Sequence, residues 1–290
     1  MKTLLWLLLV GFAAALGAAE LPVDRADSPG AALDPGRVWD TRAQHWLDAA
    51  HLPGLLARSP YVVIGEKHDN PDHHRLQLWL LQQLQAMRPQ GALLMEMLQP
   101  GQQAAINALQ HKPLPPATRL RQQLDWQPGW DWTLYGPLVH WGLAQPQRLL
   151  AADLAPAQLR HRYQRPPPVS TRYPAPALRE LKRVLRESHC GKLAAERLPA
   201  MLAIQQGRDE QMARLLAEAP TPALLLAGSY HARRDLGAPL HWRSNWGPLP
   251  TVVLLQETGQ SALPDARQAD FVWLTPAAPE QDYCAAWDKS

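Results

Sequence analysis

Cysteine and phenylalanine are nearly missing from this chain, with two of each in 290 residues. Two cysteines are too few for a disulfide-dense mini-domain. Basic residues are in small excess, 29 Lys+Arg against 26 Asp+Glu for a formal +3, and no dense Lys/Arg cluster occurs. That balance argues against a nucleic-acid binder. Long hydrophobic runs are missing beyond the first residues, so no span is expected in the mature chain. What is present is a globular composition, 46% hydrophobic and 19% charged, which excludes a disordered tail. With phenylalanine scarce, leucine and the 12 tryptophans carry the large apolar volume. The length fits one large domain or two small ones.

The one long apolar run is at the front. Lys2 precedes residues 4–16, followed by Gly17-Ala18-Ala19. A run of about 13 residues is short for a bilayer and suits the core of a secretory signal peptide. Residues 1–19 are therefore expected to be a signal peptide cleaved after Ala19; a retained anchor is the other reading. Cleavage removes one basic residue and leaves 28 minus 26, or +2. No cysteine stands at the cleavage site, which excludes a lipid anchor there, and an exported, soluble protein is expected. In an oxidising compartment Cys190 and Cys284 are expected to form a disulfide. Two buried free thiols are the alternative.

After a Pro/Ala/Gly-rich leader, short apolar runs alternate with helical patterns. The runs are residues 61–64, 92–95, 149–152, 223–227, 252–255 and 271–274. None alternates with polar residues, as expected of strands buried on both faces. Asn70 and Pro71 open a helix carrying Leu76, Leu80, Leu84 and Met87. Two further amphipathic helices are expected at 177–188 and 195–217, after a proline-rich loop at 165–176. The predicted fold is α/β, a mostly parallel central sheet with flanking helices and a helical cap. Residues 20–290 are read as one domain, with helical insertions at 99–141 and 155–222.

Four of the expected strands end in chemistry-bearing residues. The first runs into Glu66 and His68, the second into Glu96, the third into Asp153 and the fourth into His231. Ligands of open α/β sheets bind beyond the carboxyl ends of the strands, so these side chains are expected to share one rim. Such a set can ligate a divalent metal or act as acid and base. It can equally be an ion-pair network with Arg208, Asp209 or Arg233. No H-E-x-x-H zinc signature is present.

The segment from Val63 through Gly65-Glu66-Lys67-His68-Asp69-Asn70-Pro71-Asp72-His73-His74, with Gln77, resembles the opening motif of ChaN-like haem-binding lipoproteins. These belong to the wider haem-uptake/Tiki and erythromycin-esterase-like superfamily. Met95-Glu96-Met97, the Trp-rich stretch Asp125-Trp126 through Gly129-Trp130-Asp131-Trp132 and Tyr135, and Ala151-Ala152-Asp153-Leu154 agree in order. So do His189-Cys190-Gly191, Gln205, Arg208-Asp209 and Ala227-Gly228-Ser229-Tyr230-His231. The missing lipobox cysteine departs from the lipoprotein pattern.

The resemblance implies a periplasmic haem-binding protein of haem and iron uptake, working with uptake-system components. It also implies a homodimer, since cofacial haem pairs occur at a dimer interface in the family. The motif residues it carries over are Glu66, His68, His73, Glu96, Asp153, Arg208, Asp209 and His231. Iron(III) haem takes a tyrosine or histidine ligand between apolar walls. The candidates from the inserts are Tyr135, His140, Tyr163, Tyr173 and His189. No C-x-x-C-H occurs, which excludes covalent attachment. The superfamily also implies a second reading, a hydrolase. There Glu66 or Glu96 would be the base, or Glu66, His68, Glu96, Asp153 and His231 would hold a metal. A structural partner protein is the third reading.

Overall fold

The structure is a computed structural model that describes residues 36–259 and 262–285. The expected signal peptide, residues 1–19, lies outside the described residues. In chain order the strands are β1 (Arg37–Asp40), β2 (His45–Asp48), β3 (Tyr61–Glu66), β4 (Ala92–Met95), β5 (Arg148–Ala151), β6 (Ala223–Gly228), β7 (Thr251–Glu257) and β8 (Phe271–Thr275). The helices are α1 (Leu52–Leu56), α2 (Pro71–Met87), α3 (Gln103–Leu109), α4 (Ala117–Gln123), α5 (Trp132–Ala144), α6 (Pro156–Gln164), α7 (Ala175–Glu187), α8 (Leu198–Glu218) and α9 (Ser229–Ala232).

The strands form one eight-stranded sheet in the order β2-β1-β8-β7-β3-β6-β4-β5. From β8 to β5 neighbouring strands run parallel, while the β1–β2 hairpin adds antiparallel pairs at one edge. β3, β4 and β6 are buried along their whole length, which is why their sequences are continuous apolar runs.

Each face of the sheet has its own core. On one face Val62, Ile64, Leu93 and Leu226 meet Leu76, Leu80 and Leu84 of α2 and Leu138 and Val139 of α5. Each such leucine contributes roughly 2 kcal/mol on burial. On the other face Val63, Leu94, Leu225 and Leu254 meet Met212, Ala213 and Leu216 of α8. A third cluster stands beside the sheet, where Leu181 and Leu185 of α7 pack on Leu198 and Leu202 of α8 and on Leu236. α8 therefore serves two layers, its first turns belonging to this cap and its last turns to the sheet.

α2 begins as its sequence demands. The Asn70 side chain accepts from the Asp72 N–H, and Pro71 occupies the first turn, where no N–H is needed. Cys190, just beyond α7, is joined to Cys284 by a disulfide, with Cα atoms 5.7 Å apart. The bond ties the segment after β8 to the cap. That segment is also held by Asn70 Nδ2, which donates to the Pro276 carbonyl, and by Tyr283, whose hydroxyl donates to Asp69 Oδ2 at 2.5 Å. No helix among the described residues is long and apolar enough to cross a membrane.

Candidate functional site

Parallel pairing puts the carboxyl ends of β3, β6, β4 and β5 on one edge. Glu66 is in register with Gly228. Glu96 follows β4 and donates its N–H to the Leu226 carbonyl, while its Oε2 accepts from the Gly228 N–H at 2.8 Å. Asp153 follows β5, its N–H bonded to the Leu98 carbonyl. Glu66, Glu96, Asp153 and His231 are thereby buried together at the rim.

Two networks share this edge. In the first, Glu66 Oε1 accepts from the Tyr135 hydroxyl at 2.6 Å and lies 2.9 Å from His68 Nδ1. Its other oxygen is 3.3 Å from His74 Nδ1. Burial pushes the Glu66 carboxyl up, yet the His68 hydrogen bond and the charges of His74 and His68 outweigh it and hold Glu66 below the usual carboxylate range. Burial likewise pulls His68 down, but the bond to Glu66 and the charge of Glu96 prevail and raise it to about 9. The Tyr135 hydroxyl is pushed up by burial and then by the Glu66 charge.

The second network surrounds His231. Its Nδ1 is 2.6 Å from Asp209 Oδ1, and its Nε2 is 3.5 Å from Glu96 Oε1. Burial opposes the imidazolium, but the charges of Glu96 and Asp209 raise His231 above its ordinary value. Arg208 Nε sits 2.9 Å from Asp153 Oδ1. The carboxylates of the rim are thus matched by His68, His231 and Arg208, and the cluster is nearly balanced in charge.

His73, carried over from the motif, is elsewhere. Its Nδ1 accepts from the Lys67 N–H at 2.8 Å and its Nε2 faces Thr275 Oγ1 at 2.9 Å. Both nitrogens are used, and burial lowers its pKa to about 4. It is a neutral ring fastening α2 to β8. Its neighbour His74 is the one that faces Glu66.

A cavity of about 400 Å³ opens over the rim. Its floor holds Glu66, Glu96, His68 and His231, while its far wall is Leu181, Val184 and Leu185 of α7 together with Trp130. A second hollow of about 730 Å³ shares Lys67, His68 and Trp130 with the first and is bounded by Pro279 and Tyr283 of the disulfide-tied segment. Arg233 keeps α7 in place, donating both terminal nitrogens to Glu180 and bonding Asp235 at 2.7 Å.

The residues offered as haem ligands are scattered. Tyr135 is buried with its hydroxyl given to Glu66. Tyr173 is buried in the cap core, its hydroxyl 3.3 Å from His241 Nε2. Neither hydroxyl is open to an iron, because each was placed by packing and by a partner distant in sequence. His140 lies along α5 against Trp132. Tyr163 is exposed on α6, where Arg197 donates to its hydroxyl. His189 turns back to the Leu185 carbonyl at 2.7 Å. None of the five except Tyr135 borders either hollow.

The divalent-metal expectation finds no support. Among the described residues no group of three or more His, Cys, Asp or Glu side chains is disposed to hold a metal ion. Glu66, Glu96, Asp153 and His231 are engaged with His68, Tyr135, Asp209, Arg208 and the Gly228 amide.

Sequence reasoning did not single out Tyr230. It stands on α9 at the cavity mouth, 37% exposed. Among the described residues its hydroxyl makes no hydrogen bond, while the Arg233 guanidinium lies 5.9 Å from its ring. Its signal was available, since it sits beside His231 at the end of the fourth apolar run.

The family profile described as haem-binding uptake, Tiki superfamily, ChaN matches residues 54–241. No curated relative matches the chain. Among solved structures, the fold is similar to ChaN of Campylobacter jejuni, determined with cofacially bound haem. The TM-score is 0.69 at 23% identity, over 81% of this chain and 95% of that one. The type III effector HopBA1 aligns over 78% of this chain and 92% of its own, at 14% identity and a TM-score of 0.42.

Proposed function

The chain belongs to the ChaN family of haem-binding uptake proteins in the Tiki superfamily, and on that premise we propose that it binds haem in the rim cavity and serves haem or iron uptake in the periplasm. The observation that carries the reading is the make-up of the cavity. One wall is apolar, from Leu181, Val184, Leu185 and Trp130, and the mouth carries a tyrosine whose hydroxyl has no hydrogen-bond partner among the described residues.

Haem requires apolar surface along its macrocycle and an anionic or imidazole ligand for ferric iron. Tyr230 meets the second need, with Arg233 beside its ring and Arg183 within electrostatic reach. Lys67 and Arg208 line the same cavity, each already paired with a carboxylate, Lys67 with Glu257 and Arg208 with Asp153. The buried Glu66 and Glu96 discourage any further anion, which orients the propionates away from the floor. Export is supported by the signal-like residues 1–19 and by the Cys190–Cys284 bond, which suits an oxidising compartment. A homodimer and a delivery partner in the uptake system complete the proposal.

The test is a haem titration of residues 20–290 followed at the Soret band, with elemental analysis of the same sample. Saturable binding at micromolar haem is expected, with a tyrosinate-type spectrum lost in Tyr230→Phe and kept in Tyr135→Phe. No saturable change in the wild type overturns the reading. Light scattering with and without haem tests the dimer.

A second reading is favoured by one specific feature. His231 lies between Asp209 and Glu96 and faces a cavity, the arrangement of a general acid–base group. A metal-free hydrolase would lose all turnover on ester and peptide panels in Glu96→Gln. Absence of turnover in the wild type removes this reading.

A further inference from the structure

The proline-rich loop at 165–176 has no part in the rim cavity, and α6 turns its side chains away from it. Together with α8 and the segment after α9 they enclose a separate hollow of about 430 Å³. Four guanidiniums border it, those of Arg162, Arg172, Arg214 and Arg243, along with His241 and Trp246.

The charges do not cancel. Glu210 is the only carboxylate on the wall, and it is already taken, accepting from Arg162 Nη2 at 2.8 Å and from Gln206 Nε2 at 2.7 Å. Arg214 is paired with Glu218 at 2.6 Å. Arg172 has only the carbonyls of Leu240 and Trp242, at 3.4 and 3.3 Å, and Arg243 has only the Trp246 ring, 5.0 Å from its centroid. Among the described residues neither has a carboxylate partner. Two positive charges are left over.

The hollow is also shaped for a guanidinium. A Cβ added at Gly207 on α8 would stand 2.3 Å from Arg162 Nε, so the glycine makes room for the planar group to lie against the helix. Glu210 and the Ala203 carbonyl then fix it from either side. Fixed guanidiniums present parallel N–H donors, which match the oxygens of carboxylates and phosphates. His241 is buried against Tyr173 at the back, and burial with Arg172 and Arg162 nearby keeps it neutral, with a pKa of about 4.

We propose that this hollow is a binding site for a doubly charged oxyanion, a phosphate monoester or a polycarboxylate, recognised chiefly by Arg172 and Arg243. It is separate from the haem reading, because none of these residues lines the rim cavity.

The test is titration of the full mature chain with inorganic phosphate and, in a second arm, with citrate. Chloride at matched ionic strength is the control, and the His241 ring resonances are the readout. Saturable shifts with phosphate or citrate are expected, together with a rise in the His241 pKa as an anion arrives beside it. The stronger arm identifies the ligand class. The double variant Arg172→Ala/Arg243→Ala should weaken binding by roughly tenfold or more. Arg214→Ala, whose charge is already paired, should change it far less. Both double-variant positions are exposed, so folding is preserved, and haem titration of the same variant should match the wild type. Equal shifts with chloride, or wild-type affinity in the double variant, overturn the proposal.

Discussion

Replacing Glu66 by glutamine should change the pH dependence of stability in a way only the rim geometry dictates. His68 is held above its ordinary value, from 6.5 to about 9, by a carboxylate 2.9 Å away and by the charge of Glu96, against the opposing effect of burial. A histidine raised in the folded state stabilises fully below its unfolded pKa of about 6.5. That stabilisation is lost as pH rises through the folded value. At 1.36 kcal/mol per pH unit the interval corresponds to at most about 3.4 kcal/mol. The His68 side chain is 39% exposed, so solvent screening reduces this to about 1–2 kcal/mol.

Urea unfolding at pH 6, 7.5 and 9.5 measures it. The wild type should lose about 1–2 kcal/mol more than Glu66→Gln over that range, because the His231 network is common to both and cancels. The variant should also start lower by about 3 kcal/mol, since the amide cannot serve Tyr135, His68 and His74 together. Equal slopes in the two proteins, or a His68 pKa near 6.5 by NMR, refute the reasoning.

Acid should act through other histidines. His73 and His241 are buried neutral with pKa values of about 4. Each should therefore cost up to about 3 kcal/mol as pH falls from 6.5 to 4 and the unfolded chain gains the proton first, measurable as a fall in the urea midpoint. The Cys190–Cys284 bond spans 94 residues, so Cys190→Ser/Cys284→Ser should lose about 4–5 kcal/mol by loop entropy. Unchanged denaturation midpoints with and without reductant would contradict that. At Gly237 an added Cβ would stand 2.2 Å from the His231 carbonyl oxygen, a backbone atom with nowhere to go. Gly237→Ala should cost about 3 kcal/mol or more and displace His231, read by thermal melting.

The six parallel strands could be read from the chain because burial on both faces forces an unbroken apolar run, and each observed strand overlaps its run. The β1–β2 hairpin could not. Its strands are four residues each, and the turn has Gln44 at φ 52 with no glycine, proline or asparagine to announce it. α5 was hidden for the opposite reason. Gly136, Pro137 and Gly142 interrupt the helical pattern, while the face left to solvent is Thr133, Pro137, His140 and Ala144, with no Lys, Arg, Asp or Glu to reveal its period.

The rim was readable because strand ends in a parallel sheet share an edge, whatever their order. Pairings across it were not, since nothing local says that Tyr135 gives its hydroxyl to Glu66, 69 positions away. Of the aromatic residues offered from the inserts, Tyr135 and Tyr173 are taken into the core, while Tyr163 and, beside a motif histidine, Tyr230 are exposed.

The central pairing of the sheet joins Tyr61 to Ala223, positions 162 apart (61 to 223). Such contacts form late, because loop closure is unfavourable until many interactions reward it. Glu66 and Gly228 are the last rung of that same ladder, so the floor of the cavity is assembled only when that long excursion of the chain has been closed. A partly folded molecule has no pocket to fill, so under the proposed function only finished copies of the protein would take up haem.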